Sequence, residues 1–524
     1  MPCYARVMVD ESGGKAFDYE LPGEMGARLQ VGSRVRVPVR TRTALGTIIE
    51  LRDTTEAPGV KPISEAVGVE PILSPLLIQL GAWIADYYCC STEAAMKSIL
   101  PNVIRKAQLG HKTQLFVRLT RPVELAELEA LRAKAPLQAA AIECLLKAGE
   151  PTAVAQLTEQ SDATHQVVQA LVKKGLVLTE SARVERDPFH AETFVASGNL
   201  ELNEEQAAVF ARVRAAIEDG ASCRHAADDP SPPGSVRHPP KPLLLHGVTG
   251  SGKTEIYLQA IQLVLEAGQS AIMLVPEISL TPQTVERFKS RFAATQREVA
   301  VLHSHLSEGE RHDEWHKIRD GRARIVIGAR SAIFAPCTNL GLIVVDEEHE
   351  NSYKQEETPR YHGRDVAVLR AHLERCAILL GSATPSLESY FNATLGKYEL
   401  LNLRKRVDDK KLPYIRVIDL RMDAQAKGAI LSERLIAAIH DRLQKKEQTI
   451  LFLNRRGYFT SLICEKCGYV HECPNCSVAL TLHRAAGRVI CHICGFQAVA
   501  PSKCPECRDP AIKYTGTGTQ KVED

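Results

Sequence analysis

The 524-residue sequence predicts a multidomain chain whose central lobe is an α/β fold with a doubly wound parallel sheet, and three observations carry that reading. Leu243 to Tyr257 reads LLLHGVTGSGKTEIY, an apolar strand running through a glycine-rich turn into a helix. Apolar runs follow it in alternation with helical patterns: AIMLVP, RIVIGA, LIVVDEE and AILLGSATP. The pattern changes on either side, to short β-like runs before it and to eight cysteines between Cys464 and Cys507 after it. A chain of this length exceeds one core and suggests about three to five domains.

Composition narrows the classes. Lys+Arg 65 against Asp+Glu 63 leaves a formal charge of +2, so a nucleic-acid surface is local rather than a property of the whole chain. No apolar run reaches the ~18 residues of a membrane span, and the N-terminus lacks a signal-peptide core. The expectation is a cytoplasmic protein with no membrane partner. The seven cysteines outside the cluster are scattered, which fits a reducing compartment.

In chain order, residues 1–110 open with ARVMV, AFDYELP, SRVRVPV and ALGTIIEL, the pattern of a small β-barrel or sandwich. In SRVRVPV a period of two puts Arg34 and Arg36 on one face and Val35 and Val37 on the other. That basic edge, continued by Arg40 and Arg42, is either a phosphate-contacting face or a solvated one. An apolar helical stretch, Leu73 to Tyr88, closes the region. Residues 115–185 read as three helices, LQAAAIECLLKAG, AVAQLTEQ and HQVVQALVKKG, then the strand LVLTE. Gly149 and Gly175 sit at C-terminal caps, with Ser161 or Asp162 placed to cap the third helix. This is a winged-helix pattern, read as a domain that positions DNA or a partner without assigned base contacts.

The central lobe spans 198–395. It opens with GNLELNEEQAAVFARVRAAIED, a helix capped by Asn203 with Gln206 on its first turn. Gly220 to Pro242 carries six prolines and reads as a flexible insertion. The phosphate loop then fits G-x-x-x-x-G-K-[ST] in full. Gly247, Gly250 and Gly252 let the backbone approach anionic oxygens, Lys253 reaches the β- and γ-phosphates, and the Thr254 hydroxyl ligates Mg²⁺. Asp346, just past a buried strand, is placed to hold the same Mg²⁺, and Glu347 to orient and deprotonate the attacking water. Ser382 and Thr384 in GSATP are placed to sense the nucleotide state.

The cysteines form four Cys-x2-Cys pairs, enough for two tetrahedral Cys₄ zinc sites. The gap from Cys467 to Cys473 is short, whereas the stretch from Cys476 to Cys491 has room for a hairpin. The sites are therefore nested: Cys464, Cys467, Cys504 and Cys507 outside, Cys473, Cys476, Cys491 and Cys494 inside. Disulfides conflict with a reducing compartment, and iron–sulfur ligation with the ribbon-like pairs.

The order GxxxxGKT, DEEH, SAT is that of superfamily 2 helicases. More narrowly, GVTGSGKTEIY, LVPEISLTPQ, GARSAIFAP, VVDEEHENSYKQ, YHGRDVAVLRA, GSATPSLES, LFLNRRGY and GTGT resemble the primosomal protein N′ family of bacterial replication-restart helicases over almost the whole chain. The resemblance implies an N-terminal β-barrel-like DNA-binding domain for a nascent 3′ end (1–110) and a winged helix (115–185). It further implies a RecA-like helicase lobe (198–395, insertion 220–242) and the start of a second lobe (396–460). A double zinc-binding insertion (461–512) and a remainder of lobe two (513–524) complete the chain. It implies an ATP-dependent 3′-to-5′ DNA helicase that recognises stalled or abandoned forks and initiates primosome assembly. Its cofactors are ATP, Mg²⁺ and two Zn²⁺; its partners are forked and single-stranded DNA, other primosome proteins and single-strand-binding protein.

The same resemblance implies that Gln206 reads adenine, that Lys253, Thr254, Asp346 and Glu347 form the ATPase core, and that Ser382 and Thr384 couple hydrolysis to strand movement. Pro276-Glu277 and Gly328-Ala329-Arg330-Ser331 match segments lining the single-strand path. Tyr353, Tyr361 and His362 fall in an aromatic-rich loop coupling DNA binding to hydrolysis, for which base stacking is a physical reason, while Tyr361 fits a packing residue equally well. Phe17-Asp18-Tyr19 matches a 3′-end pocket in which Asp18 hydrogen-bonds a terminal base or hydroxyl. The sequence departs from the pattern at Gln520, at Gly363, in the proline-rich insertion and after Gly516–Thr519, where the family continues into an arginine motif that completes the ATP site. A second expectation is therefore a truncated, non-catalytic module that binds fork DNA and ATP and recruits partners. A third, another superfamily 2 translocase, is opposed by the cysteine cluster and FDYELP.

Overall fold

The computed structural model describes residues 3–10, 15–26, 28–68, 70–105, 112–184, 196–228, 238–280, 282–292, 299–304, 306–407, 414–418, 431–452, 461–464, 466–483, 487–510 and 512–515. The chain divides into two units, Met1–Lys410 and Lys411–Asp524.

The first unit opens with β1 (Tyr4–Val9), β2 (Ala16–Glu20), a helical turn α1 (Gly23–Gly26), β3 (Arg34–Val39), β4 (Arg42–Arg52) and β5 (Glu65–Val67). These strands form an antiparallel sheet in the order β2-β1-β4-β3-β5. The segment before β5 bonds the opposite edge: Glu20 N donates to Lys61 O at 3.0 Å and Ile63 N to Glu20 O at 3.1 Å. The sheet thus curls into the barrel-like form expected, and alternation sends Val7, Val35, Val37 and Ile48 inward, each 0% exposed.

Next come α2 (Pro75–Tyr87), α3 (Thr92–Ile99) and α4 (Asn102–Arg105). Pro75 starts α2 and Ser74 caps it, its Oγ accepting from Leu77 N at 3.2 Å. Leu77, Leu80, Ile84, Met96 and Ile99 share one core with Trp315, Phe334 and Val366 of the α/β lobe, whereas Val35, Val37 and Ile48 belong to a separate barrel core. The helical part of the expected 1–110 domain thus packs into the core of the α/β lobe.

Then follow β6 (Lys112–Leu119), α5 (Leu125–Lys134), α6 (Pro136–Ala148), β7 (Thr152–Ala153), α7 (Val154–Ser161), α8 (His165–Lys173) and β8 (Val177–Val184), with strands ordered β7-β6-β8. Helices α6 to α8 occupy the three stretches read as helices, while β6 and α5 were not foreseen. Thr164, not Ser161 or Asp162, stands at the N-cap of α8, and Asp162 ends α7 at φ 52°.

The α/β lobe contains α9 (Glu204–Asp228), β9 (Leu243–Gly247), α10 (Lys253–Glu266), β10 (Ser270–Leu274), α11 (Pro282–Arg291), β11 (Val299–Leu302), α12 (Glu308–Arg319), β12 (Ile325–Gly328), β13 (Leu340–Val345), α13 (Gly363–Glu374), β14 (Ala377–Ser382), α14 (Leu387–Thr394) and β15 (Glu399–Leu403). All seven strands pair in parallel, in the order β11-β12-β10-β13-β14-β9-β15. Every residue of β13 and β14 is buried, as strands covered on both faces require. Two boundaries shift. Helix α9 runs through Gly220 to Asp228, so the insertion is helical where it begins, and 229–237 lie outside the described residues. Strand β15 pairs with β9, so 399–403 belong to this sheet and not to a second lobe.

The second unit contains α15 (Glu433–Gln444), β16 (Ser461–Cys464), β17 (Thr481–His483), β18 (Arg488–Ile490), β19 (Gln497–Val499) and β20 (Ile512–Thr515). Strand β16 pairs with β20 and encloses in sequence the β17-β18-β19 meander. GTGT, Gln520 and most of LFLNRRGY lie outside the described residues. Among the described residues no helix is long and apolar enough to cross a membrane.

Candidate functional site

Neighbouring strands β9, β14 and β13 deliver the phosphate loop, the SAT motif and the DEEH turn to one edge of the sheet, at their carboxyl ends, where an open parallel sheet binds ligands. Gly247 ends β9, Ser382 ends β14 and Asp346 follows β13. Lys253 is the first residue of α10, and its Nζ donates to Gly247 O at 2.9 Å, across the loop. Thr254 follows it, half-buried on the first turn. Gly252 has φ +83°, and a Cβ there would lie 2.3 Å from Gln206 Nε2. Gln206 is 4% exposed and donates to Ser251 O at 2.8 Å, while its Oε1 accepts from Asn203 N at 2.9 Å. The amide sequence reading assigned to adenine thus holds the loop from behind.

Tyr257 joins the motifs. Its hydroxyl donates to Asp346 Oδ1 at 3.1 Å, and it passes so close to β14 that a Cβ on Gly381 would lie 1.7 Å from it. Burial, then the neighbouring Glu347 charge, pushes the Asp346 carboxyl up to about 6, against smaller opposing effects of Tyr257 and Lys253. A buried carboxylate beside a second carboxylate, facing a threonine-bearing loop, suits a hard divalent cation with oxygen ligands. Glu347 itself has φ 44°, a left-handed conformation uncommon outside glycine, and its carboxylate lies 3.6 Å from His349 Nδ1.

Two residues in DEEH carry contacts that sequence reading passed over. His349 meets Ser382 Oγ through Nδ1 at 2.8 Å and Thr384 Oγ1 through Nε2 at 3.4 Å, joining DEEH to SAT. Glu348 is 0% exposed and accepts from Ser386 N at 2.7 Å, Ser389 Oγ at 2.8 Å and the Arg364 guanidinium at 3.1 Å. Arg364 stood in the quoted YHGRD run, but nothing in the spacing marked it as Glu348's partner.

The residues expected to touch DNA divide differently. Arg34 is 4% exposed; its guanidinium binds both Asp10 oxygens at 3.1 and 2.7 Å, Thr47 Oγ1 at 3.0 Å and Arg105 O at 2.8 Å. It is a structural cation, which removes it from the DNA face. Arg36 is exposed and pairs with Glu65 at 3.0 Å. Asp18 accepts from Thr55 Oγ1 at 2.6 Å beside the exposed Phe17. Arg330 donates to Ser352 O at 3.2 Å and Lys354 O at 2.8 Å and lies over the Tyr361 ring, so it fixes the aromatic loop. Tyr353 and Tyr361 are each 1% exposed. Their rings are packed, Tyr361 edge-on to Phe334, and offer no face for base stacking in this conformation. Tyr353 instead donates its hydroxyl to Asp346 O at 2.7 Å.

In the second unit the eight clustered cysteines form the two nested sets expected, Cys464/Cys467/Cys504/Cys507 and Cys473/Cys476/Cys491/Cys494, with the four sulfurs of each within 4.8 Å of one another. Sulfur separations of 3.6 Å (Cys464 to Cys507, Cys467 to Cys504) and 3.5 Å (Cys473 to Cys494) exceed the ~2.05 Å of a disulfide. They approach the ~3.8 Å edge of a tetrahedron with Zn–S bonds of ~2.3 Å. Each Cys-x2-Cys pair makes the same turn: the first cysteine's N–H bonds the carbonyl five residues on, as from Cys464 to Tyr469 (2.9 Å) and Cys473 to Val478 (2.8 Å), and the residue after the second cysteine is left-handed.

Family models match three parts of the chain: the PriA 3'DNA-binding domain (3'BD) at residues 6–101, the DEAD/DEAH box helicase at 236–392 and the PriA DNA helicase Cys-rich region (CRR) domain at 473–498. The replication restart protein PriA of Bacillus subtilis is 36% identical over 99% of this chain and 71% of its own length. That of Chlamydia muridarum is 36% identical over 99% of this chain and 68% of its own. That of Synechocystis reaches 48% identity over 54% of this chain and 35% of its own. With a barrel, a DEEH-bearing parallel sheet and nested cysteine clusters in the matched regions, the chain belongs to the family of replication restart protein PriA.

Proposed function

We propose that this protein is an ATP-dependent 3′-to-5′ DNA helicase of the bacterial cytoplasm that recognises stalled or abandoned forks and initiates primosome assembly for replication restart. The observation that carries the reading is the junction of phosphate loop and DEEH turn: the hydroxyl of Tyr257, on the helix that follows the loop, lies 3.1 Å from Asp346, just past β13. Lys253 leaves the Gly247 carbonyl for the β- and γ-phosphates. Thr254 and Asp346 hold Mg²⁺, which when bound neutralises charge on the phosphates. Glu347 takes the proton of the attacking water, and Gln206 lies at the adenine side of the loop. His349 relays the state of the site to Ser382 and Thr384. The cysteine sets hold two Zn²⁺. Forked and single-stranded DNA are the substrates, with Asp18 and Arg36 as barrel contacts; single-strand-binding protein and other primosome proteins are partners.

The test is steady-state ATP hydrolysis with and without forked DNA. DNA is expected to raise turnover, and Lys253→Ala to lower it by about 10²–10³-fold. Hydrolysis indifferent to DNA, or equal in Lys253→Ala, would sink the proposal.

A further inference from the structure

Residues Lys354 to His362 form a hairpin beside the nucleotide site, closed by a bridge between its two ends and by Gln355 N donating to Tyr361 O at 2.9 Å. Its base is tied in two directions. On one side Tyr353, next to Lys354, donates its hydroxyl to the Asp346 carbonyl at 2.7 Å. On the other, the His362 N–H donates to the hydroxyl of Tyr88 at 3.1 Å, 274 residues away in sequence, and the Lys354 ammonium lies 5.2 Å from the centre of the Tyr88 ring. Tyr88 is the C-cap of α2, whose inner face is built into the lobe's core through Leu77, Leu80 and Ile84. The strand end that presents Asp346 and the helix that follows the barrel are thus both hydrogen-bonded at the base of one hairpin, through Tyr353 and through His362.

We propose that Tyr88 is a positioning residue through which DNA engagement by the N-terminal barrel, whose Gly32 carbonyl accepts from Ile72 N at 3.0 Å just ahead of α2, sets the backbone that carries Asp346. The inference rests on the DNA-stimulated ATPase reading above and adds the route by which stimulation arrives. Tyr88 touches no nucleotide-binding group. Its loss strands the His362 N–H without its acceptor and frees the hairpin base to sample other positions.

The experiment compares wild type, Tyr88→Phe, Tyr353→Phe and the double variant for DNA-free turnover, for the DNA concentration giving half-maximal stimulation, and for forked-DNA affinity by anisotropy. Tyr88→Phe is expected to keep DNA-free turnover and DNA affinity within about twofold while the stimulation factor falls about fivefold, the low end of measured couplings between sites. The double variant is expected to lose little beyond Tyr353→Phe alone, because both break one connection. Wild-type stimulation in Tyr88→Phe overturns the inference. A proportionate fall of basal and stimulated turnover also overturns it, by assigning Tyr88 to packing alone; Lys354→Gln, which leaves the hydrogen bond in place, then shows the same proportionate pattern. A wild type that DNA does not stimulate removes the functional reading itself, and this inference with it.

Discussion

In the α/β lobe, β13 and β14 are buried over their whole length, and the core beneath the motifs runs through Leu244, Ile272, Val326, Ile343 and Leu380. In the ribbon, β17, β18 and β19 have three residues each, and the core is Leu480, Leu482 and Val489 beside Cys473 and Cys491. The first arrangement holds Asp346 and Lys253 by hydrophobic burial on both faces of a sheet. The second has too little apolar surface to order its own loops, so its fold depends on the thiolates meeting a metal. Two regions of one chain thus fail under different insults.

The largest effect should separate them. Structural zinc contributes about 10–16 kcal/mol of apparent binding free energy in small zinc modules, and zinc held by these cysteine sets would also be folding free energy. Complete metal removal, or Cys473→Ser with Cys491→Ser, is expected to abolish hydrogen-exchange protection across 473–499 while amides of β9, β13 and β14 keep theirs. A ribbon that stays protected without metal would break the comparison outright.

A smaller effect probes the lobe alone. Glu348 and Arg364 are nearly inaccessible, and the carboxylate also satisfies the Ser386 amide and the Ser389 hydroxyl. Removing one partner of a buried pair costs about 3–5 kcal/mol where the other charge is left uncompensated, and here Arg364 keeps Asp365 at 3.0 Å, so the low end of that range is expected. Glu348→Ala should therefore lower the lobe's urea midpoint sharply, with zinc content unchanged. A midpoint close to wild type would mean that Asp365 alone compensates Arg364 and that the motif turn is held by its backbone instead.

The same contrast explains what sequence could disclose. The phosphate loop and the cysteine nesting were legible because their chemistry depends on local spacing: Gly247 to Lys253 is one turn, and each Cys-x2-Cys is one knuckle. Period two placed Arg34 opposite Val35 correctly along the strand, yet nothing local revealed that Asp10, Thr47 and Arg105 surround it. Tyr361 was open to either stacking or packing and Tyr353 was not recognisable as buried, since Phe334, Arg330 and Asp346 come from other segments. Strand β15 could not be assigned because a parallel partner is chosen by topology, and the flexible insertion was begun at Gly220 although a glycine inside a helix costs only about 1 kcal/mol. That cost is offset where α9 lies against Arg375 and Cys376, its Gly220 Cβ position 3.0 Å from Arg375 O.

The finest distinction is in acid. Glu255, on the helix after the phosphate loop, accepts from Arg291 at 2.8 and 2.6 Å, from Gln259 at 2.9 Å and from Leu200 N at 3.1 Å. Burial pushes its carboxyl up, but these bonds outweigh burial and hold it below the ordinary 4.5. The unfolded chain therefore binds the proton first as pH falls. The stabilisation is whole above about pH 4.5 and is lost as pH drops through the lower folded value. Glu255→Gln should flatten the lobe's urea midpoint against pH in that window, and a slope equal to wild type would discard the assignment. Acid also strips the ribbon, but by protonating thiolates that must be charged to bind metal, so excess zinc should shift the ribbon's transition to lower pH. Zinc should leave the Glu255-dependent transition where it is: the one region titrates an ion pair, the other a ligand set.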